Sequence, residues 1–180
     1  MNLSEYRKIA RLTALPAALD VTGYLAPMIA GEVGEIYGTL AKANRDGWDT
    51  DTRYKAVAKE IGDVLWGVAV LIDFVEPELS EDARHDAWAN VARIEELTPE
   101  AALKIAYDRA GDIISAAMIR NPVGDYFIYS SAVKLWDHIE HNAGLFVDGH
   151  YTFDEVLHMN ADKLADRMAR NVISGSGNDR

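Results

Sequence analysis

Cysteine is missing from this chain, which excludes disulfides, thiolate-held zinc and thiol catalysis and fits a reducing cytoplasm. Basic residues are scarce: 18 Lys and Arg against 29 Asp and Glu give a formal charge of −11. Such a surface argues against nucleic-acid and anionic-membrane partners, both of which need basic patches. An anionic small ligand stays open where metal ions or a local basic cluster mask the field. Long apolar runs are also lacking. The strongest, VLWGVAVLIDFV (64–75), is too short for a bilayer and is broken by Asp73. The opening MNLSEYRKIARL is charged and has no apolar signal core. No glycine-rich phosphate loop opens a helix, since SGSG (174–177) follows the last helical pattern.

What the chain has is helical periodicity. With 49% hydrophobic residues in 180 positions, it can bury a substantial core as one domain, and no low-complexity linker divides it. The pattern predicts helices over 3–13, 18–43 (with Pro27 as a kink or the true start), 51–75, 80–96, 98–120, 126–142 and 152–171. Ser80, Thr98 and Thr152 are the expected N-caps, the last in a capping box with Glu155. The expected loops are 44–51 and the turn 121–125, and the tail after 171 is expected to be mobile. Strand alternation is absent, so the fold class is all-α.

Two stretches sit oddly in helices that need apolar faces. GEVGEIYGTL (31–40) carries Glu32 and Glu35, and KEIGDVLWGV (59–68) carries Glu60 and Asp63. Chance alone gives roughly five acid pairs at spacing three in such a chain, so one pair is weak as a motif. Context strengthens these two. Each pair shares a helix face, lies inside a regular apolar stripe and is flanked by glycines: Gly31, Gly34 and Gly38 in one, Gly62 and Gly67 in the other. Helix-interior glycine costs about 0.5–1 kcal/mol relative to alanine, so close backbone approach or room for a ligand is expected there. If the faces meet, four carboxylates converge. Two charges 4 Å apart repel by about 4 kcal/mol at an effective dielectric of 20, and oxygen-only donors suit Mg²⁺ or Mn²⁺ rather than zinc. The competing reading is a pair of solvated acidic faces.

Asn160, Lys163 and Arg167 fall at i, i+3 and i+7 of the last helix, a polar-basic stripe in an acidic protein. It reads either as a surface stripe paired with Asp162 and Asp166 or, beside a metal cluster, as a binder of polyphosphate oxygens.

The combination Glu-x-x-Glu, 24 intervening residues, Glu-x-x-Asp, with the ending MNADKLADRMARNVISGSGNDR (159–180), resembles the MazG-like all-α nucleoside triphosphate pyrophosphohydrolases. The start LSEYRKIARLTA is similar to the family's opening helix, with Arg7 where glutamine is common. The resemblance covers about 3–76 and 152–180. It implies a helical bundle assembled as dimers or tetramers. It also implies Mg²⁺-dependent cleavage of an NTP or dNTP into a nucleoside monophosphate and pyrophosphate. Carried over by position, Glu32, Glu35, Glu60 and Asp63 are the metal-binding catalytic acids, and Asn160, Lys163 and Arg167 contact the nucleotide. The alternative is a non-catalytic helical protein that binds nucleotides or a partner.

Residues 77–151 depart from the compact family pattern, being an insertion of about three helices. Within it YDRAGDIISAAMI (107–119) faintly echoes IAGEVGEIYGTLA, and AVKLWDHIEHNAGL (132–145) echoes EIGDVLWGVAVL, as a degenerate second half-bundle would. Its acids do not repeat the motif, so a second metal site is not expected. His138 and His141 read as solvated histidines, because the Glu-x-x-His pattern of di-iron bundles is absent. Trp48, Trp66, Trp88 and Trp136 read as core or loop anchors, with base stacking by Trp48 as a further option in substrate binding.

Overall fold

Five of the helices begin where a side chain satisfies a free N–H group. The computed structural model describes residues 1–92, 96–119, 122–170 and 172. Among them are seven α-helices and no strand: α1 (Leu3–Thr13), α2 (Ala26–Asp46), α3 (Thr50–Val75), α4 (Glu81–Ala89), α5 (Pro99–Ala117), α6 (Pro122–Phe146) and α7 (Phe153–Ala169). Asn2 and Thr152 form capping boxes with Glu5 and Glu155. Asp49, Ser80 and Thr98 accept from the N–H groups of Thr52, Ala83 and Ala101.

Several boundaries differ from the sequence expectation. Pro27 marks a start, not a kink: α2 begins at Ala26, after a π-turn over Val21–Leu25, because proline is tolerated in a first turn where its missing N–H has no partner. The helix then runs to Asp46 and stops at Gly47, whose φ of 65° is the left-handed end suited to glycine. The connection to α3 shrinks accordingly. The expected turn at 121–125 is mostly helix, as α6 starts at Pro122 and continues to Phe146, through Asn142 and Gly144. Helix α4 ends at Ala89, short of 96, and α5 ends at Ala117, short of 120. Helix α7 ends at Ala169. Of the expected tail, 172–180, residues 173–180 lie outside the described residues.

Helices α2, α3, α6 and α5 close a four-membered ring, each packed on the next, with α5 returning to α2. Ile29, Ile61, Leu65, Leu71, Ile72, Ile113, Leu135 and Ile139 belong to one core and are fully buried. The hairpin α5–α6 thus packs against the hairpin α2–α3 within one chain. Helices α1 and α7 lie on the outer side of α3 and touch each other, while α4 lies on α6. This placement brings the last helix to the middle of α3.

The tryptophans divide. Trp136 is buried, its ring 5.9 Å from Tyr6 and 5.5 Å from Phe153. Half-buried Trp66 donates Nε1–H to Thr13 Oγ1 at 2.8 Å. Trp88 is partly exposed and donates to the Tyr129 hydroxyl at 3.2 Å.

Candidate metal centre and its flanking cations

Three of the four sequence-predicted acids meet. One carboxylate oxygen each from Glu32 on α2 and from Glu60 and Asp63 on α3 lies within 4.8 Å of the others, and all three residues are half-buried. Glu35 is exposed and stands outside this group. Three residues along a helix turn the side chain about 60° away from perfect alignment, enough to put Glu35 at the rim. It still adds negative potential to Glu32 and Glu60.

Neighbouring groups hold the acids in place. The Thr39 hydroxyl donates to Glu60 Oε1 at 3.3 Å. Asn160 Nδ2 donates to Asp63 Oδ1 at 2.9 Å, and Lys163 Nζ pairs with the same oxygen. Lys163 therefore does not pair with Asp162 or Asp166; Asp166 instead binds Arg170 at 2.7 Å. Arg167 lies one turn beyond Lys163 on the same face. It is half-buried, with a buried Nε that has no hydrogen-bond partner.

The electrostatics show an uncompensated site. Burial pushes the Glu32 carboxyl up to about 7, helped by Asp63, Glu35 and Glu60 and opposed by Lys163. Glu60 is raised too, by burial first and then by Glu35 and Asp63. A clustered, partly desolvated set of oxygens with one lysine does not balance its own charge. The three carboxylates could hold a divalent cation, which would offset that imbalance.

The glycine expectation splits. A Cβ on Gly62 would stand 2.8 Å from Asn160 Cβ, and one on Gly67 would stand 2.6 Å from Met28 Cε. Both mark close approach, and Gly62 is what lets α7 bring Asn160 to Asp63. Gly31, Gly34 and Gly38 meet nothing within 4 Å.

Tyr6 was not among the sequence candidates. Its buried hydroxyl donates to Asn160 Oδ1 at 2.7 Å and so fixes the amide with Nδ2 toward Asp63. Its ionisation is pushed upward by burial and by Asp63, which keeps it a donor. Its partner is 154 residues away, so no local pattern marks it. Arg7, next to it, points elsewhere and binds Asp73 at 3.1 Å and Glu76 at 2.6 Å. Trp48 is half-buried in the α2–α3 turn, its backbone N–H on Ala43 O at 3.0 Å. Ten helical residues separate that turn from Glu60, about 15 Å along α3.

The histidine expectation holds for His141, which is exposed, and is corrected for His138. His138 is half-buried, and its Nε2–H donates to Ala102 O at 2.8 Å. Burial lowers its pKa, so the ring is held neutral.

Comparison with protein-family models, with curated proteins and with solved structures finds no match.

Proposed function

We propose that the chain is a divalent-metal-dependent nucleoside triphosphate pyrophosphohydrolase. The observation that carries the reading is the convergence of Glu32, Glu60 and Asp63 beside the cationic face of α7. The motif resemblance supports it, since the residues it singles out at 32, 60, 63, 160 and 163 come together although they lie far apart in sequence.

In this reading Glu32, Glu60 and Asp63 hold Mg²⁺, or Mn²⁺, with Glu35 at the rim. The bound cation supplies charge neutralisation for phosphate oxygens and a more acidic water. Water adds to the α-phosphorus of an NTP or dNTP, the bond from that phosphorus to the bridging oxygen breaks, and pyrophosphate leaves with that oxygen. Arg167 and Lys163 bind phosphate oxygens and stabilise the charge on the departing group. Asn160, locked by Tyr6, keeps Asp63 aimed. Trp48 contacts the base only if the nucleotide extends along α3 toward the turn. Among the described residues no helix is long and apolar enough to cross a membrane. The proposal further places the enzyme in the cytoplasm, as a dimer or tetramer, lowering standard or aberrant (d)NTPs.

The test is pyrophosphate release from a panel of dNTPs and NTPs with and without Mg²⁺, repeated with Glu60→Gln. Metal-dependent release abolished by the substitution supports the reading; release without metal, or unchanged in the variant, refutes it. One observation favours a second reading, a non-catalytic nucleotide- or partner-binding protein: Asp63 is already matched by Lys163 and Asn160 within the chain. That reading predicts nucleotide binding with no product from any triphosphate.

A further inference from the structure

Away from the acids, between α5 and α6, lies a cavity of about 450 Å³, a size that suits a small organic ligand. Arg109 and Lys134 line it, one from each helix. In a chain of charge −11 most cations find an acid, yet neither of these two has an ion pair among the described residues. The Arg109 Nε is buried and has no hydrogen-bond partner among the described residues. A buried guanidinium nitrogen without an acceptor is costly, so an acceptor from outside the described residues is the expected complement.

The other walls narrow the ligand class. Ile105 and Leu145 supply an apolar surface. His138 donates Nε2–H to Ala102 O and is kept neutral by burial, with Asn142 Nδ2 3.4 Å from its Nδ1. Asp137, an acid in the same wall, has His141 Nδ1 at 3.4 Å from its Oδ2. Glu96 also borders the cavity but is exposed, where solvent screens its charge. A second hollow shares Asp137 and His141 and is bordered by the partly exposed Trp88, which offers an aromatic face.

We infer that the α5–α6 cavity is a second ligand site, taking a small carboxylic or phosphoric acid with a flat apolar body whose anionic head sits on Arg109 and Lys134. It is separate from the acidic centre, and the proposal does not depend on the activity assigned there.

The test uses the full chain and three probes: benzoate, phenyl phosphate and neutral benzyl alcohol. Titration calorimetry reads affinity, and the Arg109 Nε–H resonance reads location. Saturable binding of either acid that shifts that resonance is expected, with benzyl alcohol bound at least about tenfold more weakly, the discrimination of one charge-assisted hydrogen bond. Benzoate alone or phenyl phosphate alone identifies the head group as carboxylate or phosphate. Arg109→Gln and Lys134→Gln, each checked for retained helicity, should both weaken binding by about tenfold. Glu60→Gln should bind as the parent does. No saturable binding of either acid at millimolar concentration, equal binding of the alcohol, or parent-like binding in both variants overturns the inference. Inorganic phosphate binding as tightly as phenyl phosphate overturns the assigned apolar body.

Discussion

Asn160 donates its Nδ2–H to Asp63 Oδ1 at 2.9 Å across 97 residues of sequence. The amide is 3% exposed and cannot rotate freely, because Tyr6 donates to its oxygen at 2.7 Å. Removing it with Asn160→Ala leaves the buried Tyr6 hydroxyl with only the longer contact to Gly62 O, at 3.4 Å, and should cost about 2–3 kcal/mol in denaturant unfolding. Tyr6→Phe, which orphans only the amide oxygen, should cost about 1–2 kcal/mol. Loss of less than about 0.5 kcal/mol in both would show that the chain of bonds contributes nothing.

Glycines in the acidic helices should respond in opposite directions. At Gly62 a methyl group collides with Asn160, 2.8 Å from its Cβ, so Gly62→Ala should destabilise by about 1–3 kcal/mol. At Gly34 nothing lies within 4 Å, and Gly34→Ala should stabilise by about 0.5–1 kcal/mol through helix propensity alone. Paired thermal melts decide it.

Acidification should stabilise the metal-free protein near neutrality. Glu32 is raised from 4.5 to about 7, so the folded state binds a proton that the unfolded state releases. Stability from this group is therefore present in full below about 4.5 and is lost as pH rises toward 7. Glu32→Gln in chelator should remove that slope. It should also raise stability at pH 8 by about 1–2 kcal/mol, the shift discounted for partial solvent screening. An unchanged slope in the variant would mean that Glu32 is not under strain.

Lys163 competes with a cation for Asp63 while serving the substrate. Lys163→Ala should tighten Mn²⁺ binding several-fold in the absence of nucleotide, about 1 kcal/mol of removed repulsion. The same change should reduce pyrophosphate release. If metal affinity fell with activity, the lysine would be supporting the fold of the site and not contesting it.

Arg7 should matter for stability alone. Its 18% exposed guanidinium spans Asp73 and Glu76, linking α1 to the end of α3. Arg7→Ala should cost about 1–3 kcal/mol, since it leaves half-buried Glu76 without its ion-pair partner and Asp73 with only the exposed Arg11. Turnover by the folded fraction should be unchanged, which steady-state assays below the melting transition can read.

Helix number and most starts were legible because they are local. Ser80, Thr98 and Thr152 cap their own helices within three residues, and the stripe from Val57 to Val75 repeats on one face. Ends were less legible. Helix α6 starts at Pro122, where proline's missing N–H has no partner, and runs on through Gly144 because packing on α3 and α5 outweighs the propensity of a single residue.

The acids at 32, 35, 60 and 63 could be picked out from spacing, since residues three apart on a helix are neighbours whatever surrounds them. Which of them converge depended on the rotation of α2 against α3, and that is set by packing: it turned Glu32 inward and left Glu35 at the rim. Tyr6, Asn160 and Gly62 meet only because α1 and α7 dock on α3, and Arg109 faces a cavity only because α5 lies on α6. Propensity and periodicity act over a few residues, whereas burial, desolvation and hydrogen-bond partnership are properties of the assembled chain.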